Sequence, residues 1–279
     1  MRVYKVLPDL SKTRHMKIWH KALRSQWSAA DLDWSKPQRI TQPRLKDQLG
    51  RMLTPILMGE QAALYSVSGL IPVLGSRAEV ESQLYLTTWA VDEGRHTELF
   101  ARFYHRIERE PLSIRHFPAG YLFQSRIVSK EPAEWLAGVL VSEVLAKQIM
   151  EEFVRLDLDP LLSEIADGIL VDEARHLGFN HIYLEDRFGD LFRASTEEGR
   201  SYSVHLRARL QDVLTLVPPM FKALETELRE IGLDVEGVLH RLGEEAAERL
   251  EKSIEAGERL ALRTPAESPR WRPSEPSPP

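Results

Sequence analysis

Apolar residues in this chain recur at three- and four-residue spacing over long runs, the period that lines one face of an α-helix. Across about 43–68, Leu49, Leu53, Ile56, Leu57, Leu64 and Val67 keep that spacing, with Glu60 on or beside the apolar face. Pro55 is expected to bend this helix, and 69–76 to close it. Similar runs cover about 77–108, 132–156 and 161–188. Between the second and third, residues 109–131 lose the period among Pro111, Pro118 and Gly120 and read as a long crossover. Further helices are expected over about 195–217 and, past Pro218-Pro219, over 220–262. Residues 1–44 read as a mixed lead-in with a short helical turn near Ser28, its tryptophans Trp19, Trp27 and Trp34 covering the outside of a bundle. The Pro-rich stretch 263–279 offers little to pack and reads as disordered. One helical domain over 45–262 follows.

The polar residues inside these runs change the picture. Val91-Asp92-Glu93-Gly94-Arg95-His96 returns as Val171-Asp172-Glu173-Ala174-Arg175-His176. In a helix Glu and His three apart share a face, so each copy aims a carboxylate and an imidazole at one point. Each copy follows a helix bearing one more Glu among apolar residues, Glu60 before the first and Glu143 before the second. The order Glu, Glu-x-x-His, Glu, Glu-x-x-His is the ligand set of ferritin-like di-iron and di-manganese bundles. Spacing agrees: 33 residues separate Glu60 from Glu93 and 30 separate Glu143 from Glu173, room for one helix up and the next back to the same height. From Glu93 to Glu143 is 50 residues, which leaves some 20 for one long crossover. The expected fold is all-α: a ferritin-like four-helix bundle with additional C-terminal helices.

Four carboxylates in an apolar core are ruinous as bare anions, since each buried unpaired charge costs several kcal/mol. Two divalent cations held by Glu60, Glu93, His96, Glu143, Glu173 and His176 would neutralise them. Metal-bound His usually donates its second N–H to a carboxylate, a role suited to Asp172 for His96 and to Asp92 for His176. Arg95 and Arg175 read as ion-pairing structural residues.

Composition narrows the chemistry. The 279 residues contain no Cys, which excludes disulfides, iron–sulfur clusters and thiolate sites. Oxygen and nitrogen ligands suit two iron ions, or one manganese and one iron. A net charge of -5 gives no basic footprint for nucleic acid. No stretch reads as a signal or a membrane span, so a cytoplasmic protein without membrane partners is expected.

Residues 84–96 and 172–179, with the lead-in 27–35, resemble the ribonucleotide reductase small-subunit group, including its ligand-binding oxidase relatives. The motifs are shared with acyl carrier protein desaturases, arylamine N-oxygenases and bacterial multicomponent monooxygenases. The resemblance implies an O2-dependent oxidase or oxygenase, an organic substrate, an electron-donor protein or other reductant, and compatibility with a homodimer. Departures shape the reading. Phe100 stands in the place of the reductase's radical Tyr, and the last Tyr is Tyr202, which disfavours a radical-generating reductase subunit. Ala62 and Gly138 replace the Val–Tyr pair that the ligand-binding oxidases cross-link. Ala146 and Lys147 stand near the Thr of the monooxygenases, and Ile169 replaces the seventh ligand, a His, of the N-oxygenases. The function expected is oxidation of a small apolar molecule in a pocket near Leu57, Ala63, Val67, Trp89, Phe100, Val139, Ile169 and Phe179. Lys147, one turn from Glu143, is a candidate to reach that pocket. A ferroxidase or metal-binding protein without organic substrate is the alternative from another class.

Overall fold

The structure is a computed structural model and describes residues 13–113, 115 and 117–263. The expectation of a disordered tail concerns residues outside this range but for Arg263. All regular structure among the described residues is helical.

Two helical hairpins form the centre. In the first, α2 (Pro43–Ser76) turns into α3 (Val80–Ile107) through residues 77–79, where Ala78 takes a left-handed conformation with φ 62°. In the second, α5 (Pro132–Leu156) turns into α6 (Pro160–Ala194) through residues 157–159. There Asp157 is left-handed (φ 43°) and Asp159 accepts the Leu161 N–H as the N-cap of α6. Such short turns make neighbours antiparallel, so each hairpin returns to the height of its own Glu. α3 packs along α2, and α6 along α5, while α2 and α5 meet over only a short stretch.

The remaining helices close the bundle. α1 (Thr13–Arg24) lies on α3 and α6; α7 (Thr196–Leu214) and α10 (Val235–Leu262) cover α5 and α6. The short α8 (Val217–Ala223) and α9 (Glu225–Ile231) run from the α4–α7 side round to α2. The crossover contains α4 (Pro118–Ile127), which touches α2, α5 and α8.

Several expectations are corrected. α2 runs as one helix through Pro55 and on past Gly69 and Pro72 to Ser76, so the stretch 69–76, read as its close, is still helical. The residues read as breaks at 118 and 218–219 instead open helices, because a proline in the first turn sacrifices no helical hydrogen bond. The crossover therefore holds a helix, and the C-terminal run from Met220 is three helices rather than one. Residues 13–24, within the mixed lead-in, form α1. Its apolar residues gather on one face, which covers α3 and α6, so this helix is legible in the sequence.

Candidate metal centre

The four hairpin helices bring Glu60, Glu93, His96, Glu143, Glu173 and His176 to one place at mid-bundle, none more than 5% exposed. The two imidazoles lie 6.2 Å apart, centroid to centroid, and each turns Nδ1 inward. His96 Nδ1 lies 3.2 Å from Glu60 Oε2, and His176 Nδ1 lies 3.0 Å from Glu143 Oε2. Glu93 and Glu173 behave differently from this pair. Glu93 places Oε2 3.7 Å from His96 and Oε1 3.5 Å from His176. Glu173 places Oε1 4.0 Å from His96 and Oε2 3.7 Å from His176. Each thus turns one oxygen toward each imidazole, whereas Glu60 faces His96 and Glu143 faces His176. Among the described residues, Glu60–Glu93–His96 and Glu93–Glu143–His176 each offer three ligand atoms within 4.8 Å of one another. Glu173 Oε2 is fully buried with no hydrogen-bond partner, a cost of about 1–3 kcal/mol or more that a cation would remove. The donor set therefore fits a pair of divalent ions.

Proton affinities carry the same message. Burial, then the charge of a neighbouring carboxylate, raises the Glu93 and Glu173 carboxyls above the ordinary range, Glu173 by far. Burial alone would lower the imidazoles, but Glu60 and Asp172 around His96, and Asp92 and Glu143 around His176, raise both well above the ordinary value. Both kinds of group hold extra protons in the folded, metal-free chain. The resulting stability is full below their unfolded values, about 4.3 for Glu and 6.5 for His, and is lost as pH rises through the raised folded ones. Metal ligands must instead be deprotonated. The melting temperature of chelator-stripped protein is expected to fall from about pH 5 to pH 8, and that of metal-loaded protein to rise over the same interval. Parallel slopes in calorimetry would contradict this.

A second layer surrounds the six residues. His96 Nε2 lies 3.1 Å from Asp172 Oδ2 and His176 Nε2 3.2 Å from Asp92 Oδ2, each imidazole facing the Asp of the opposite hairpin. Arg95 donates to Asp92 (2.5 Å) and Asp172 (2.6 Å); Arg175 donates to Asp92 (2.9 Å) and to Asp172. Two aspartates and two arginines form a closed, buried, neutral ring, which leaves the charge of the four glutamates to be balanced from inside. Burial tends to raise the Asp92 carboxyl, but His176 and Arg175 hold it down at about 2; His96 and Arg95 likewise keep Asp172 below the usual range.

Residues just after α1 complete this ring, which the sequence did not indicate. Gln26 donates to Asp92 (3.0 Å), and the Trp27 indole N–H donates to Asp172 (2.9 Å) with the Arg95 guanidinium over its ring. Trp27, expected to be mere cover, thus supports the Asp that supports His96. Its seat depends on Gly168, where an added Cβ would lie 2.6 Å from the indole. Gly168→Ala is expected to displace Trp27 and weaken metal binding about tenfold, measured against a chromophoric chelator. Unchanged affinity would assign Trp27 to packing alone.

A cavity of about 1170 Å³, open mouth included, reaches the centre through the gap between α2 and α5. Its floor includes Glu60, Glu93, Glu143 and Glu173, and its walls are mainly apolar: Met52, Ile56, Val67, Phe123, Val139, Ile149, Phe221 and Leu224 among them. Ala63, Val67 and Val139 line it as expected, while Leu57 and Phe179 do not. Trp89, Phe100 and Ile169 are also corrected. They sit on α3 and α6, which contribute only Glu93 and Glu173 to the lining, and all three are fully buried. Trp89 positions rather than lines: its N–H donates to Glu93 Oε1 (2.7 Å), and its ring stacks on His176 at 4.4 Å. Lys147 turns away to α10, pairing with Glu245 (2.9 Å) and Glu151 (3.1 Å), so it does not reach the pocket. The α10 partner lies about 100 residues downstream, invisible from local spacing.

A variant of R2-like ligand-binding oxidase with an anaerobically reconstituted Mn/Fe cofactor superposes with a TM-score of 0.68 at 20% identity, covering 90% of this chain and 97% of that one. R2-like ligand-binding oxidase with an aerobically reconstituted Mn/Fe cofactor gives 0.67 at 20% identity, over 88% and 93%. At such identity these likenesses establish the fold. No curated protein matches the sequence. The family model for p-aminobenzoate N-oxygenase AurF matches residues 72–218, both Glu-x-x-His motifs and Glu143 included and Glu60 outside it. That span is more than half of the 279 residues, and the chain belongs to the p-aminobenzoate N-oxygenase AurF family of ferritin-like, oxygen-dependent di-metal oxidoreductases.

Proposed function

We propose that the chain binds two iron ions, or one manganese and one iron, through Glu60, Glu93, His96, Glu143, Glu173 and His176, and uses O2 to oxidise a small, mainly apolar organic molecule. The observation that carries this reading is the pair Glu93 and Glu173, each with one oxygen toward either imidazole, at the floor of a cavity walled by hydrocarbon. The Mn/Fe pair named for the structural neighbours and the N-oxygenase family both support it.

When bound, such a pair supplies electrons to O2 and Lewis acidity at the reacting centre. The protein's own part is positional. Asp172 and Asp92 accept from Nε2 of His96 and His176, which fixes the tautomer and leaves Nδ1 free to ligate. Trp89 holds one Glu93 oxygen and one face of His176. The apolar walls exclude water, so charge at the centre is neither screened nor quenched by bulk solvent. Glu60 and Glu143, on the two helices that flank the gap, are the ligands an incoming substrate meets on its way in. An electron donor is needed to complete each turnover.

The test is anaerobic loading with Fe(II), or with Mn(II) and Fe(II), followed by O2, with elemental analysis and optical spectroscopy. Two metals per chain and repeated cycling with reductant and an apolar substrate are expected. Accumulation of ferric mineral well beyond two irons per chain would favour a storage protein instead, and metal-free protein after loading would end the proposal.

A further inference from the structure

The two hairpins carry matched residues around the centre: Asp92, Glu93, Arg95 and His96 on α3 correspond to Asp172, Glu173, Arg175 and His176 on α6. The match breaks one turn before each glutamate, where α3 has Trp89 and α6 has Ile169, both fully buried. Ile169 has no polar side-chain atom to offer. Trp89 donates its indole N–H to Glu93 Oε1 at 2.7 Å. That oxygen is the one turned toward His176, 3.5 Å from its Nδ1, while Glu93 Oε2 turns toward His96. The indole is also held in place. Its ring lies on His176 at 4.4 Å and 17°, and Tyr85 and Phe179 meet it edge-on, each at 6.1 Å.

We infer that Trp89 makes the two metal positions unequal: the position beside His96 fills first, and the position beside His176 binds its ion more weakly and gives it up first. This rests on the proposed metal centre and adds an order to it. An N–H bond to a carboxylate oxygen is charge-assisted and strong, and the electron density it draws from Glu93 Oε1 is withheld from a cation on the His176 side. Asp172 and Asp92 act in the opposite sense. They accept from Nε2 of His96 and His176 and make both imidazoles better donors, and they do so at matched distances, 3.1 and 3.2 Å. Glu60 and Glu143 are matched as well, at 3.2 Å from His96 and 3.0 Å from His176. Glu173 turns an oxygen to each side with no donor from Ile169, so it does not separate the two positions. Against these paired contacts the Trp89 bond falls on one side alone, and Trp89 is a positioning residue that also sets the order of loading.

The experiment adds Mn(II) anaerobically to stripped, full-length protein, one equivalent and then a second. EPR spectroscopy separates isolated Mn(II) ions from magnetically coupled pairs, and anomalous scattering from crystals grown at one equivalent gives the occupancy beside each histidine. The first equivalent is expected to appear as isolated ions, with occupancy beside His96 at least about tenfold above that beside His176, and the second to produce the coupled signal. Trp89→Phe keeps an aromatic ring at this place and removes the N–H. In that variant the preference is expected to narrow to about threefold or less, with the gain in affinity confined to the position beside His176. A Trp89 that only packs would, on substitution, lower both affinities together and leave the preference intact, and that result would overturn the inference. Equal occupancy in the unaltered protein, or first filling beside His176, would overturn it without any variant. Total metal content reads the centre separately: two Mn(II) bound without preference defeats only the inequality, whereas no bound metal defeats the centre itself.

Discussion

Glu173→Gln is expected to stabilise the metal-free protein and to cripple the metal-loaded one. The substitution removes one of four clustered carboxylates, and the one with a fully buried oxygen that no protein group satisfies. In stripped protein that relief should be worth about 1–3 kcal/mol, or roughly 2–5 °C in melting temperature for a chain of this size. With metal the sign reverses. Glu173 offers an oxygen to each imidazole, so its loss weakens both positions: bound metal should fall below two per chain, the stabilisation by metal should largely disappear, and turnover should drop by at least about 100-fold. Glu60→Gln provides the contrast, because Glu60 approaches His96 and not His176, so its loss should spare the position beside His176. Opposite signs in the stripped and loaded states distinguish a metal centre from a buried hydrogen-bond network, in which removing Glu173 would destabilise the protein under every condition. Calorimetry on both forms, with elemental analysis, makes the measurement.

The second large effect belongs to the surrounding ring. Asp172→Asn keeps the shape of the side chain and removes one of two negative charges that face Arg95 and Arg175 in full burial. Breaking a buried pair from one side costs about 3–5 kcal/mol, because the remaining charge is left without compensation. Chemical denaturation should show that loss. It should be accompanied by selective loss of the metal beside His96, whose Nε2 depends on Asp172, with stoichiometry moving from two toward one. Asp92→Asn should mirror this at His176. If both variants lose little stability and bind two metals, the ring is a passive solvation shell. Surface pairs such as Lys252–Glu248, both well exposed, set the scale for comparison at about 0–1 kcal/mol.

Particular residues show how far the linear chain could be read. The two Glu-x-x-His motifs lie within single helices, so their convergence follows from helical periodicity alone, and the hairpin lengths place Glu60 and Glu143 at matching heights. The reach of Asp92 and Asp172 across to the opposite hairpin also followed, from what a metal-bound imidazole requires. Lys147 was misleading because its spacing from Glu143 leaves its rotation toward α10 undetermined. Trp27 and Gln26 were passed over because their partners lie some 65–145 residues away and their role depends on a close approach that Gly168 permits. Trp89, Phe100 and Ile169 each lie one turn from Glu93, His96 or Glu173, yet they belong to the packed side of the bundle, which spacing within one helix does not reveal.

Helical period, hairpin length and the identity of six side chains were enough to determine the bundle and the acidic centre, because these depend on interactions within a turn or across a short loop. Where the cavity opens was decided only in three dimensions. It lies between α2 and α5, which are distant in sequence, and it is closed by α4, α8 and α9, whose seats depend on the whole surface beneath them. Long-range packing of that kind leaves no period in the chain, since the residues that meet are separated by loops of arbitrary length and are selected by shape.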